Sequence, residues 1–102
     1  MEQRHSPRLP LVADVEMRSG GATTYACLAD LSEGGAFVDT QNPFPVGTQL
    51  MLRFALDDRQ VIAVGRVALS QPFVGMGVEF LALDEASRAA IAEHVARAHL
   101  RD

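Results

Sequence analysis

The chain has 102 residues, 48% of them hydrophobic and 22% charged, with a formal net charge of −4. That length supports one domain with one modest core, and the balance is that of a folded soluble chain rather than a disordered one. The acidic balance argues against general binding to DNA, RNA or an anionic membrane, which depends on a broad positive surface, so any bound phosphate must be met by local arginines.

Residues 1–10 are polar and carry Pro7 and Pro10, which exclude helix and predict an extended, flexible lead-in. The alternation begins at Leu11, with Leu11, Ala13, Val15 and Met17 on one face of a half-buried strand and Asp14 and Glu16 on the other. Ser19-Gly20-Gly21 turns the chain into a second strand, Thr23 to Leu31, on which Tyr25, Cys27, Ala29 and Leu31 are expected to share the inner face. The same period of two puts Asp30 and Ser32 together on the opposite face, away from the core.

Gly34-Gly35 breaks that strand, and Ala36 to Thr40 forms a short third one before the Pro-rich loop Asn42 to Gly47. In the fourth strand, Thr48 to Leu56, the inward set is Leu50, Leu52, Phe54 and Leu56. Asp57-Asp58-Arg59 connects it tightly to a fifth strand, Val61 to Ser70, whose near-continuous apolar run predicts cover on both faces. The last strand, Gly75 to Leu83, sets Met76, Val78 and Phe80 on one side and Gly75 and Gly77 on the other, where backbone can approach a neighbour or a ligand. Phe44 and Phe73 sit on predicted turns and are assigned to core packing; exposed, they would mark a protein interface.

Asp84 is a good N-cap for a C-terminal helix over about residues 84–99, Glu85 suits its first turn, and Arg97, His99 and Arg101 suit its last. Its apolar stripe, Ile91, Val95 and Ala98, is narrow enough to plug a barrel mouth or lie on a sheet. Six short strands and one helix predict a mainly β fold, a small antiparallel barrel. The expected division is an arm over residues 1–10 and a barrel domain over residues 11–102.

Cys27 is the only cysteine, so no internal disulfide forms, and its neighbours make it a buried small hydrophobe rather than a nucleophile. His5, His94 and His99 have no Cys or His partner at ligand spacing, and neither metal nor cofactor is expected. No stretch approaches the roughly 20 apolar residues of a membrane helix. The polar start lacks the apolar run of a signal peptide, and the expected location is cytoplasmic, without membrane insertion. Asp14, Glu16, Asp30 and Glu33 lie on or near strands with no Ser-His or Cys-His pairing, and solvated faces account for them; no enzyme is expected.

Two clusters carry the functional information. Arg4 and Arg8, with three residues between them, offer two guanidinium forks, each able to grip a phosphate or a guanine edge. In Asp30-Leu31-Ser32-Glu33-Gly34-Gly35, Asp30 can accept from base N–H groups, Ser32 can donate to a phosphate oxygen, and glycine lets backbone approach a ligand or turn sharply. A guanine nucleotide satisfies all of these. The bland reading of the second cluster is an Asx or Ser turn capping a strand end, which is compatible with a binding role.

In these two motifs, R-x-x-x-R and D-x-S-x-x-G, and in the late strand Gly75-Met76-Gly77-Val78-Glu79-Phe80, the chain resembles the PilZ domains, bacterial receptors for cyclic di-GMP. The resemblance covers nearly the whole sequence and implies a six-stranded PilZ-type barrel with a C-terminal helix. It implies that Arg4 and Arg8 swing over the barrel to clamp guanine and phosphate, with Asp30 on a guanine edge and Ser32 and Gly35 near a phosphate. Gln3, Gly34 and Gly77 are secondary candidates, Gln3 because the residue before the first arginine influences whether one ligand or a stacked pair binds. Ligand binding is expected to order the arm and change the surface offered to an unidentified effector protein in motility or biofilm control, the chain itself being a monomer or weak dimer. The alternative is an adaptor of pilus or motility machinery that binds no nucleotide; such members of the family usually lack the arginine pair, which this chain keeps.

Overall fold

A computed structural model describes residues 9–100, and within them six strands and one helix. The strands are β1 (Leu9–Ser19), β2 (Ala22–Leu31), β3 (Gly35–Asp39), β4 (Gln49–Leu56), β5 (Arg59–Gln71) and β6 (Gly75–Leu83), followed by helix α1 (Glu85–Leu100). All neighbours are antiparallel, and the sheet closes on itself in the order β1-β2-β3-β6-β5-β4. The fold is the expected small six-stranded antiparallel barrel with a C-terminal helix. β1 starts at Leu9, so Pro10 belongs to the strand; it stands beside a register irregularity between Pro10 and Ala13, where a residue without an N–H is tolerated.

The hairpin from β1 to β2 is as tight as the sequence predicts. Ser19 pairs with Ala22, and Gly20 and Gly21 have φ of 60° and 84°, the two positive angles that a two-residue turn between right-twisted strands requires. Inside the barrel, Val15, Met17, Leu50, Leu52, Phe54 and Leu56 are buried as expected and fill the interior with Leu28, Leu31, Val38, Val61, Met76 and Val78. Phe44 also packs against this core.

β5 departs from its expected two-sided cover. Val61, Ala63, Gly65 and Val67 are buried, while the alternate residues Ile62 and Val64 face outward and are more than a third exposed. The apolar run is therefore a barrel wall with a greasy outer side, not a central strand between two layers.

At the end of β6 the Ser87 N–H donates to Asp84 Oδ1 at 2.7 Å, the N-cap bond read from the sequence. That bond, with a second from the Ser87 side chain, holds the Asp84 carboxyl below its ordinary pKa. Ser87 Oγ in turn accepts from Ile62 N–H at 2.9 Å, giving β5 a partner just where its pairing with β6 has ended at Leu83. One turn on, Ala90, Ile91 and Val95 join the barrel core, so α1 closes the barrel mouth beside β5, and the expected stripe residue Ala98 is half-buried. Ion pairs from Arg59 to Glu93 (2.5 Å) and from Arg97 to Asp57 flank the helix; they are exposed and add little to stability.

Candidate functional site

The regular alternation fails in one place, the second half of β2. Leu28 pairs with Val38, but the next pair is Asp30 with Phe37, leaving Ala29 without an opposite residue on β3. Across β1 the same stretch is irregular, Pro10 pairing with Asp30 and Ala13 with Leu28. Such a bulge bends the strand and resets which side chains point inward. Leu28 and Leu31, three residues apart, are both buried, whereas Tyr25 is 74% exposed and Cys27 half-buried. The shared inner face expected for Tyr25, Cys27, Ala29 and Leu31 is thus corrected: a period of two counted back from Leu31 is out of phase beyond the bulge.

Asp30 faces outward, as expected, and its Oδ1 accepts from Phe37 N–H at 3.2 Å. Ser32 does not share that face; it is 4% exposed. The strand has ended at Leu31, and Ser32 opens a turn in which its own N–H donates to the Gly35 carbonyl at 2.8 Å. Its hydroxyl donates to the same carbonyl at 3.3 Å and accepts from Gly34 N–H at 3.2 Å. The Gly34 carbonyl then accepts from Phe80 N–H at 2.9 Å, which fastens the turn to β6. Gly35 is fixed by contact rather than by angle: a Cβ there would lie 2.2 Å from the Val78 carbonyl oxygen.

Asp30, Ser32 and Gly35 are therefore brought together at one corner of the barrel, with Gly34 exposed at its tip. Gly77 lies further along the same outward row, opposite Phe37. Arg4, Arg8 and Gln3 lie outside the described residues. The chain nonetheless enters the barrel at this corner, because Leu9 pairs with Leu31 and Pro10 with Asp30.

Charge on this side of the barrel is one-sided. From residue 9 to residue 39 the acids are Asp14, Glu16, Asp30, Glu33 and Asp39, and the only lysine or arginine is Arg18, whose Nε lies 3.5 Å from Glu16 near the far end of β1. Among the described residues no three His, Cys, Asp or Glu side chains converge on a metal position. No helix among them is long and apolar enough to cross a membrane.

Two apolar features escaped the sequence reading. Phe37 was assigned no role, although burial of Ala36 and Val38 on either side makes it outward by alternation. Phe73, assigned to the core, is 80% exposed at the tip of the β5–β6 turn with φ of 66°. The bond from Val74 N–H to the Gln71 carbonyl at 3.0 Å closes a β-turn with Pro72 second and Phe73 third, and that geometry throws the ring into solvent.

Comparison with known proteins gives a consistent picture. The model of the PilZ domain family matches residues 2–97. No curated protein sequence matches the chain. Among solved structures, the Bacillus subtilis inhibitor of motility (MotI/DgrA) aligns with a TM-score of 0.83 at 19% identity, over 100% of this chain and 54% of that one. The PlzA protein of Borreliella burgdorferi, solved in complex with c-di-GMP, aligns at 0.74 and 17% identity over 91% of this chain and 41% of its own. The PilZ domain of YcgR from Escherichia coli, with c-di-GMP, aligns at 0.73 and 10% identity over 98% and 94%. At these identities the structural likeness speaks to the fold.

Proposed function

The chain belongs to the PilZ domain family, and we propose that it is a receptor for cyclic di-GMP whose site is the corner formed by Asp30, the Ser32–Gly35 turn and the arginines of the N-terminal arm. One observation carries this reading: the pairing of Leu9 with Leu31 and of Pro10 with Asp30. Arg8 immediately precedes Leu9 in sequence, and four residues of chain, about 14 Å at full extension, separate Arg4 from Arg8, a length that lets both arginines reach the second motif.

The electrostatics of the corner support the division of labour. A phosphodiester needs cations, and the strands of this side carry one, Arg18, already beside Glu16. The arm supplies two more. A guanine edge needs an acceptor for two N–H groups, and a carboxylate with about four acceptor positions can hold the Phe37 N–H and a base edge together. Ser32, with its hydroxyl committed within the turn, serves by fixing the shape of the backbone that the ligand meets. Signalling follows from the arm: a short segment holding two ligand residues changes position on binding and alters the surface an effector sees.

Calorimetric titration with cyclic di-GMP, with GTP and cyclic di-AMP as controls, tests the reading. Saturable, selective binding is expected, and Arg4→Ala or Arg8→Ala should each weaken it about tenfold or more, the loss of a charge-assisted contact of about 1.5–3 kcal/mol. No binding at high ligand concentration overturns it in favour of a nucleotide-independent adaptor. The exposed Phe73, with Val74 beside it at 55% exposure, is the feature that would then direct the search for a protein partner.

A further inference from the structure

We infer that Phe37 is the stacking floor of the nucleotide site, the apolar surface on which a purine face rests while its donor edge meets Asp30. The inference rests on the receptor reading above and adds to it the element that binds the base itself.

Phe37 stands in the outward row that crosses three strands, paired with Asp30 on β2 and with Gly77 on β6. Its ring lies along β6. A Cβ at Gly75 would be 2.6 Å from Phe37 Cε2 and 2.9 Å from Cζ, and one at Gly77 would be 4.0 Å from Cδ1. The missing side chain of Gly75 thus leaves the space in which the end of the ring rests, while Gly77 lies in ordinary contact distance beside it. Leu69, paired with Gly77 and 48% exposed, continues the apolar strip on the far side.

The ring takes no part in the interior: Phe37 is half-buried, and neither the buried core nor the residues packed against it include it. Core packing therefore does not account for a large aromatic here. An aromatic ring held against backbone loses little conformational freedom when a second planar group covers it, which is what makes such a ring effective in stacking. Its own N–H is bonded to the Asp30 carboxylate, which holds that acceptor against the backbone of the residue that carries the ring. A planar base with apolar faces and an N–H edge matches that pair; Asp30 reads the edge, and Phe37 supplies affinity that does not discriminate among bases.

The chain contains no tryptophan, so Phe37→Trp introduces a single indole reporter. Titrated with cyclic di-GMP, that variant should show a saturable change in indole emission along the calorimetric isotherm. Phe37→Leu should bind about tenfold or more weakly and Phe37→Tyr close to wild type. Binding by Phe37→Leu at wild-type affinity overturns the inference, and so does equal weakening of Leu and Tyr, which marks a packing role. Calorimetric binding by Phe37→Trp with unchanged emission overturns it as well. Should the Trp variant fail to fold, the Leu and Tyr pair decides. Absence of binding by the wild-type protein is a separate result, which removes the receptor reading and the stacking floor with it.

Discussion

The β4–β5 hairpin and the β2–β3 corner stand on opposite sides of one barrel and are built on different plans. β4 and β5 pair without a break from Gln49 with Arg66 to Leu56 with Arg59, and burial along β4 alternates residue by residue. β2 and β3 carry a bulge at Ala29, bury Leu28 and Leu31 out of phase, and fold a serine hydroxyl into the turn that follows. A wall needs only regular alternation. A corner that aims a carboxylate outward, anchors a turn and receives the incoming chain needs an irregular strand.

If the two regions have separate duties, a change in the wall should cost stability and leave recognition alone. Leu52 is fully buried at the middle of β4. Leu52→Ala should lower unfolding free energy by about 3 kcal/mol through lost transfer energy and a cavity. Urea unfolding measures the first effect, and calorimetry on the folded variant should return an unchanged affinity for cyclic di-GMP. A shift in affinity to match the loss of stability would mean that wall and corner are one mechanical unit.

Ser32→Ala probes the corner from the other direction, with a smaller effect. Loss of the hydroxyl takes one acceptor from Gly34 N–H and one donor from the Gly35 carbonyl, at a cost of about 1 kcal/mol. If the same turn forms the backbone surface of the proposed site, stability and affinity should fall together, and the affinity loss should be less than that of Arg4→Ala or Arg8→Ala. Weakened binding at unchanged stability would refute the turn-fixing role and assign the hydroxyl a direct contact with the ligand.

The wall was the legible half. Leu50, Leu52, Phe54 and Leu56 follow from alternation because nothing interrupts their register, and Gly20-Gly21 and Asp84 announce a turn and a cap by residue type alone. The corner was legible as a motif and not as geometry. Asp30, Ser32 and Gly35 were marked by spacing, but the bulge at Ala29 is a property of pairing, and alanine carries no signature of it. Ser32 was placed on the Asp30 face by extending a strand period one residue past the strand's end. Phe37 went unassigned because its partners, Gly77 opposite it and the space left at Gly75, come from a strand some forty residues away. Phe73 was misread because a bulky residue at the third position of a turn that prefers glycine carries no burial signal in its own neighbourhood.

The smallest expected effect is also on the side away from the corner, at the N-cap of α1. Asp84 has its pKa lowered in the folded chain, first by the Ser87 N–H and then by the Ser87 side chain, both of which favour the charged carboxylate. A depressed folded pKa means that the unfolded chain takes up a proton first as pH falls. The carboxylate's contribution to stability is therefore fully present above the ordinary aspartate range, near pH 4, and is lost as pH falls toward and through the lowered folded value. Wild type should exceed Asp84→Ala in stability by a constant margin at neutral pH, and the margin should narrow in acid. Asp84→Asn, which accepts the same hydrogen bond without titrating, should show no such narrowing relative to Asp84→Ala. Chemical denaturation from pH 7 down to pH 3 measures all three. Affinity for cyclic di-GMP at neutral pH should be the same in each, because the cap supports the helix that closes the mouth beside β5, whereas the proposed ligand corner is built from β2 and β3. An Asp84 variant that kept its fold and lost its ligand would break that division at the residue where it predicts the least.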